Sequence, residues 1–168
     1  MVLTTPELVR SLQHEVDILL HLASKIEPKM LEYRPTPGQR STLELLRYLT
    51  YMGPELIDVA KAGQFDVPKW SAAEARAKVM SFEEALAAIR AQREGYAAQI
   101  EGFSDEDLRG TVAPFGHPQS RGAVLVNMVL SGCAAYRTQL FLYLKACGRH
   151  ELSTWNLWAG IDEPAKTA

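Results

Sequence analysis

A chain of 168 residues, 47% hydrophobic and 23% charged, has the composition of one globular domain with a substantial core. Its formal net charge of −2 gives no electrostatic reason for nucleic acid or an anionic membrane as partner, and no apolar run reaches the roughly 20 residues of a membrane span. The N-terminal MVLTTPELVRSLQHEVD lacks the basic start and apolar block of a signal peptide, so the expectation is a cytoplasmic protein.

Helix signals dominate from the start. Thr5-Pro6 predicts an N-cap followed by proline at the first helical position. Leu8, Leu12, Val16, Leu19, Ala23 and Ile26 follow at helical spacing up to Pro28. His14, Asp17 and His21 share one side of this helix, where a metal site is conceivable. That side points nearly opposite to the apolar stripe, so it reads as a solvated face. The connection YRPTPGQR, Tyr33 to Arg40, is too rich in proline to be helical throughout.

Ser41 and Glu44 then form a capping box. They open a second helix with Leu45, Leu49, Met52, Leu56 and Val59, which ends at Gly63 and should kink at Pro54. The same spacing recurs at Ser71/Glu74, before a short alanine-rich helix, and at Ser81/Glu84, before a helix with Leu86, Ile89, Tyr96 and Ile100 that ends by Gly102. A polar turn, SDEDLRG, and the irregular TVAPFGHPQS lead to Ser120, which caps a last long helix over about 121–147. The tail ELSTWNLWAGIDEPAKTA has no period and is expected to fold back over the bundle. Nothing reads as a strand, so the class is all-α, with four principal helices in a bundle. No linker divides residues 1–168, which are read as a single domain.

The last helix carries most of the functional argument. Leu125, Val129, Gly132, Tyr136, Leu140 and Tyr143 project to its central apolar face, opposite a narrow polar wedge of Asn127, Ser131, Thr138 and Lys145. Gly132 stands mid-helix, where glycine costs about 1 kcal/mol relative to alanine. It marks either the close approach of another helix or a small cavity beside Tyr136. Arg137 and Gln139 lie on opposite shoulders, with Gln139 expected nearer the interior. A helix so broadly apolar is expected to pack against a second subunit, giving a homodimer. Cys133 and Cys147, fourteen positions apart in the helix, are separated by roughly 21 Å of rise and read as free, buried thiols. His117 and His150 lie outside the helices. HExxH and CxxC spacings, GxSxG elbows and phosphate-binding glycine loops are absent.

Two stretches, YRPTPGQRSTLELLRYL (33–49) and AYRTQLFLYLKACG (135–148), together with the order and length of the helices between them, make the chain similar to the DinB-like (DinB/YfiT) superfamily of bacterial bundles. The first resembles that family's opening of helix two and the second its closing of helix four. The resemblance implies an up-down-down-up four-helix bundle, often dimeric. In many members it also implies a divalent metal on three histidines, and in some a thiol-dependent transferase using mycothiol or bacillithiol. Carried over by position, the three histidines fall on Tyr48, Gly132 and Tyr136. Glycine has no ligating atom, and an ordinary phenol, with a pKa of about 10, is a poor replacement for imidazole. The expectation is therefore no metal, no cofactor and no assigned catalytic residue. What remains is a residual pocket between helices two and four, with Tyr48, Met52, Gly132, Tyr136 and Gln139 as its candidates and a small organic molecule as ligand. A ligand-free structural dimer and a thiol-dependent transferase of mycothiol, bacillithiol or glutathione type are the alternatives. A metal on His14 and His21 also stays open.

Overall fold

Among the described residues, six helices begin where a short polar side chain accepts a free N–H group of the first turn. The computed structural model describes residues 3–165; the last three residues of the expected tail lie outside them. Helix α1 (Thr5–Ala23) is capped by Thr4, one residue before the expected cap, in a reciprocal box with Glu7. α2 (Thr42–Ala62) carries the expected Ser41/Glu44 box and stops at Gly63, whose φ of 72° is the left-handed conformation that glycine adopts most easily. α3 (Val67–Lys78) starts more than a turn before the expected Ser71. Asp66 accepts from the Lys69 N–H at 2.9 Å and Pro68 fits the first turn, leaving Ser71 and Glu74 inside the helix. α4 (Phe82–Ile100) opens on the expected Ser81/Glu84 box.

The stretch read as a polar turn is instead a five-residue helix, α5 (Asp105–Arg109), capped by Ser104. The loop after it is tied by a two-residue antiparallel pair, β1 (Thr111–Val112) with β2 (Gln119–Ser120). Ser120 then caps the last long helix, as expected, but the helix is not α throughout. α6 (Arg121–Val124) passes through a π-turn at Leu125–Leu130 into α7 (Ser131–Ala146). The wider turn changes the phase of the helix faces. Cys133, Arg137, Leu140 and Leu144 are the residues buried beyond it, together with Tyr143, while Gly132 and Tyr136 sit half-buried at the edge. The buried polar side chain is therefore Arg137, and the expectation that Gln139 lies nearer the interior is corrected.

α1, α2, α4 and the α6–α7 helix form an up-down-down-up four-helix bundle. α1 and α2 take diagonal places, each packed on α4 and on the last helix, and α3 lies outside against α2. One set of polar contacts locks α4 onto α2 around Pro54, which lies inside the helix. Pro54 has no N–H to offer the Thr50 carbonyl one turn back. The buried Gln92 of α4 supplies the missing donor: its Nε2 gives hydrogen bonds to the carbonyls of Thr50 and Leu49, both at 2.8 Å. Its Oε1 in turn accepts from the Tyr96 hydroxyl at 2.7 Å. Tyr96 can lie this close because residue 53 is glycine. A Cβ there would overlap the Tyr96 hydroxyl and approach the ring carbon Cζ to 3.0 Å.

The tail folds back over the bundle, as expected, and its π-turn at Trp155–Ala159 lies on α1. Buried Asn156 donates to Asp162 at 2.9 Å and to His21 Nε2 at 3.0 Å, and His14 Nε2 donates to the Trp158 carbonyl at 3.0 Å. Lys25 pairs with Asp162 at 2.7 Å. The face of α1 read as solvated is so in part: His14 and Asp17 are exposed, while His21, its side chain 15% exposed, lies under the tail. Arg137 joins three parts of the fold here. Its Nε lies 2.8 Å from the Glu15 carboxylate, another of its nitrogens donates to the Leu157 carbonyl, and its guanidinium centre is 4.9 Å from the Trp158 ring. Burial pushes the Glu15 carboxyl up, only partly offset by Arg137. Both cysteines are free thiols; Cys133 is buried, which pushes it up to about 12, and Cys147 is half-buried. Among the described residues, no helix is long and apolar enough to cross a membrane.

Candidate functional site

Tyr48 and Met52 lie one turn apart on α2 and face the edge of α7. The Tyr48 and Tyr136 rings meet edge-to-face with centroids 5.0 Å apart. Met52 is fully buried, and its Sδ and Cε fill the place a side chain at Gly132 would take: a Cβ there would meet each at 3.3 Å. Of the two readings of Gly132, this is close approach, and the room expected beside Tyr136 is occupied by a thioether. Gly132→Leu is accordingly expected to overpack this contact and cost about 1–3 kcal/mol in a urea melt. An unchanged melt would reveal slack that the packing does not have. Gln139 belongs elsewhere. It donates to the Tyr143 hydroxyl, which donates to the Arg40 carbonyl at 3.0 Å, so it helps hold the end of the proline-rich connection.

Open space lies on the other side of Tyr48. A cleft of about 680 Å³ runs between the connection, α2 and α3. Of the five candidates from the sequence, only Tyr48 lines it. Its aromatic wall is an edge-to-face pair, Tyr48 on Tyr51 with centroids 5.4 Å apart, and Tyr51 is backed by the Trp70 ring at 5.1 Å. The connection contributes Arg34 and Arg40, and the Arg40 guanidinium lies 4.0 Å from the Tyr48 ring centroid. α2 contributes Glu44, paired with Arg34 at 3.2 Å, and Arg47, whose Nε donates to the Met80 carbonyl at 2.7 Å. α3 contributes Glu74 and Lys78.

Burial pushes the Tyr48 phenol well up, and the neighbouring Tyr136 hydroxyl adds to it; burial does the same to Tyr51, followed by Glu74. Both phenols therefore keep their protons at neutral pH and can donate to a ligand. Sequence reasoning missed Arg40, Arg47, Tyr51 and Lys78. Arg40 directly precedes the Ser41 cap and Tyr51 lies one turn beyond Tyr48, so both had a positional signal. Lys78 had none once the start of α3 was misread.

The residues at the three positions implied for a metal do not fit a divalent cation. Gly132 offers no donor and faces Met52, Tyr48 is held away from the phenolate form, and a guanidinium already lies over its ring. Among the described residues, no group of three His, Cys, Asp or Glu could hold a metal ion.

A family model described as the DinB superfamily matches residues 11–130, well over half of the chain. Among solved structures, a DinB-like protein from Bacillus subtilis, YjoA, is similar with a TM-score of 0.66, at 20% sequence identity over 87% of this chain and 94% of that one. At that identity the likeness is one of fold. No curated protein matches the sequence.

Proposed function

The chain belongs to the DinB superfamily, and from that premise we propose a metal-free, cytoplasmic member whose cleft beside Tyr48 binds a small organic molecule. The observation that carries the reading is the cleft itself. At about 680 Å³ it has the size of a ligand site, and it sets aromatic walls beside a few convergent polar groups. It shares Tyr48 with the Tyr48–Tyr136 pair, so a ligand would lie on the opposite face of the Tyr48 ring from the position where the family resemblance implies a metal.

The test is a thermal-shift and calorimetry screen of small acids, amines and thiols on the wild type and on Ala75→Trp. Ala75 lines the cleft from an exposed position on α3, so tryptophan there should block the space without disturbing the core. At least one compound is expected to raise the melting temperature of the wild type and not of the variant. Binding confined to low-molecular-weight thiols, with transfer of the thiol to an electrophile, would favour the thiol-dependent transferase. Silence across the panel would leave the structural reading ahead, and stoichiometric zinc in untagged protein would sink the metal-free part.

The proposal includes a homodimer formed through the outer face of α7. Leu142 is 58% exposed there and is flanked by the exposed Ala135 and Ala146. A monomer mass by light scattering at micromolar concentration would remove this part.

A further inference from the structure

We propose that the cleft selects an organic acid: a small molecule with one carboxylate or phosphate head and an apolar, ring-sized body. This deepens the ligand-binding reading above and rests on it. The chain as a whole carries a net charge of −2, yet the walls of the cleft hold Arg34, Arg40, Arg47 and Lys78 against Glu44 and Glu74, four cations to two carboxylates. Glu44 is already engaged. It pairs with Arg34 at 3.2 Å and accepts the Ser41 N–H at 2.7 Å in the capping box. Arg47 is anchored through the Met80 carbonyl. Arg40 and Lys78 are left as the two lining cations that form no ion pair and no side-chain hydrogen bond among the described residues.

Of these two, Arg40 is held ready. Its guanidinium lies 4.0 Å from the Tyr48 ring centroid, a contact that restrains the side chain while leaving its N–H groups for a planar or tetrahedral oxyanion. A charge-assisted pair of this kind is stronger than a neutral hydrogen bond and has the geometry of carboxylate and phosphate recognition. The body of the ligand would lie against the Tyr48–Tyr51 wall, whose two phenols remain protonated donors. Glu74 faces the same space near Tyr51 and repels a second acidic group, which limits the ligand to one charged head.

The experiment is calorimetry on the full chain at low salt with four probes: benzoate, phenyl phosphate, benzamide and inorganic phosphate. At least one of the two aromatic acids is expected to bind at least about tenfold more tightly than benzamide, and the tighter of the two identifies the head group. Arg40→Gln and Lys78→Gln should each weaken that acid by about tenfold and leave benzamide unchanged. Both residues are exposed, so the variants should keep the wild-type circular dichroism. Added salt should weaken the acid selectively.

Benzamide binding as well as the acids, or acid affinity indifferent to both substitutions, would overturn the acid selectivity and leave the cleft as a ligand site. Inorganic phosphate binding as tightly as phenyl phosphate would overturn the ring-sized body. If no probe bound the wild type, this inference would fall; if the wider screen of wild type against Ala75→Trp were silent too, the ligand site would fall with it.

Discussion

Arg137→Met is expected to lower the stability of the fold by about 3–5 kcal/mol, the cost of leaving a buried charge without its partner. Arg137 and Glu15 are 3% and 8% exposed, and their contact spans α7 and α1 in the middle of the bundle. Methionine matches the length of the arginine stem and keeps the packing, so the deficit reports the orphaned Glu15. The double variant Glu15→Met/Arg137→Met should recover most of it, because an apolar pair needs no counter-charge. Urea melts of the three variants measure this directly, and a double variant as weak as the single one would show that the loss is one of packing.

The deficit should also depend on pH. The folded-state pKa of Glu15 lies above its unfolded value, so the cost of burying its charge is present above the folded pKa and is relieved as pH falls through it. Without Arg137 that cost is larger, and the gap between variant and wild type should narrow from neutral pH into the upper carboxylate range. The capping carboxylates Glu44 and Asp107 act in the opposite sense, since hydrogen bonds from their caps hold both below the ordinary value and their contribution is lost in acid.

Gly53→Ala is expected to cost about 3 kcal/mol, against the direction of helix propensity, which favours alanine by about 1 kcal/mol. The added methyl would fall on the Tyr96 hydroxyl and within 3.0 Å of its Cζ. Tyr96 is 1% exposed and held by Gln92, so it has nowhere to move. Adding Tyr96→Phe should restore only part of the loss. It removes the hydroxyl from the overlap, but ring atoms stay close and Gln92 Oε1 is left without its donor. A neutral Gly53→Ala melt would mean that α4 can shift away from α2.

The local punctuation of this fold was legible in the sequence. Ser41/Glu44 and Ser81/Glu84 start their helices and Gly63 ends one, because each acts on residues within a turn. Ser71/Glu74 misled because the same spacing is also compatible with a helix interior. Asp66 with Pro68 is the stronger start, a cap followed within the first turn by proline. The π-turn at Leu125–Leu130 had no sequence signal, and it is the reason Arg137 rather than Gln139 reaches the core.

The convergence of Tyr48 and Tyr136 followed from the family pattern, but the cleft did not. Four of its six charged lining residues, Arg34, Arg40, Glu74 and Lys78, come from a connection and a helix outside the four-helix frame, so no periodicity in the frame reports them. The fold-back of the tail was legible, but the places where it docks were not. Its anchors, Asn156 and the Leu157 and Trp158 carbonyls, find partners on helices far away in the chain.

The diagonal placement of α1 and α2 bears on how the chain reaches this state. In a bundle built of hairpins, each helix could dock on the one just made. Here α1 finds its first large partner in α4, after a loop of roughly 75 residues between helix centres, where a hairpin with α2 would close roughly half that length. A doubling of loop length adds only about 0.6 kcal/mol of closure entropy. The larger effect is kinetic, since non-local pairing slows the search. α1 and α2 each pack mainly on α4 and on the last helix rather than on one another, so most of their apolar stripes stay exposed until those later helices arrive.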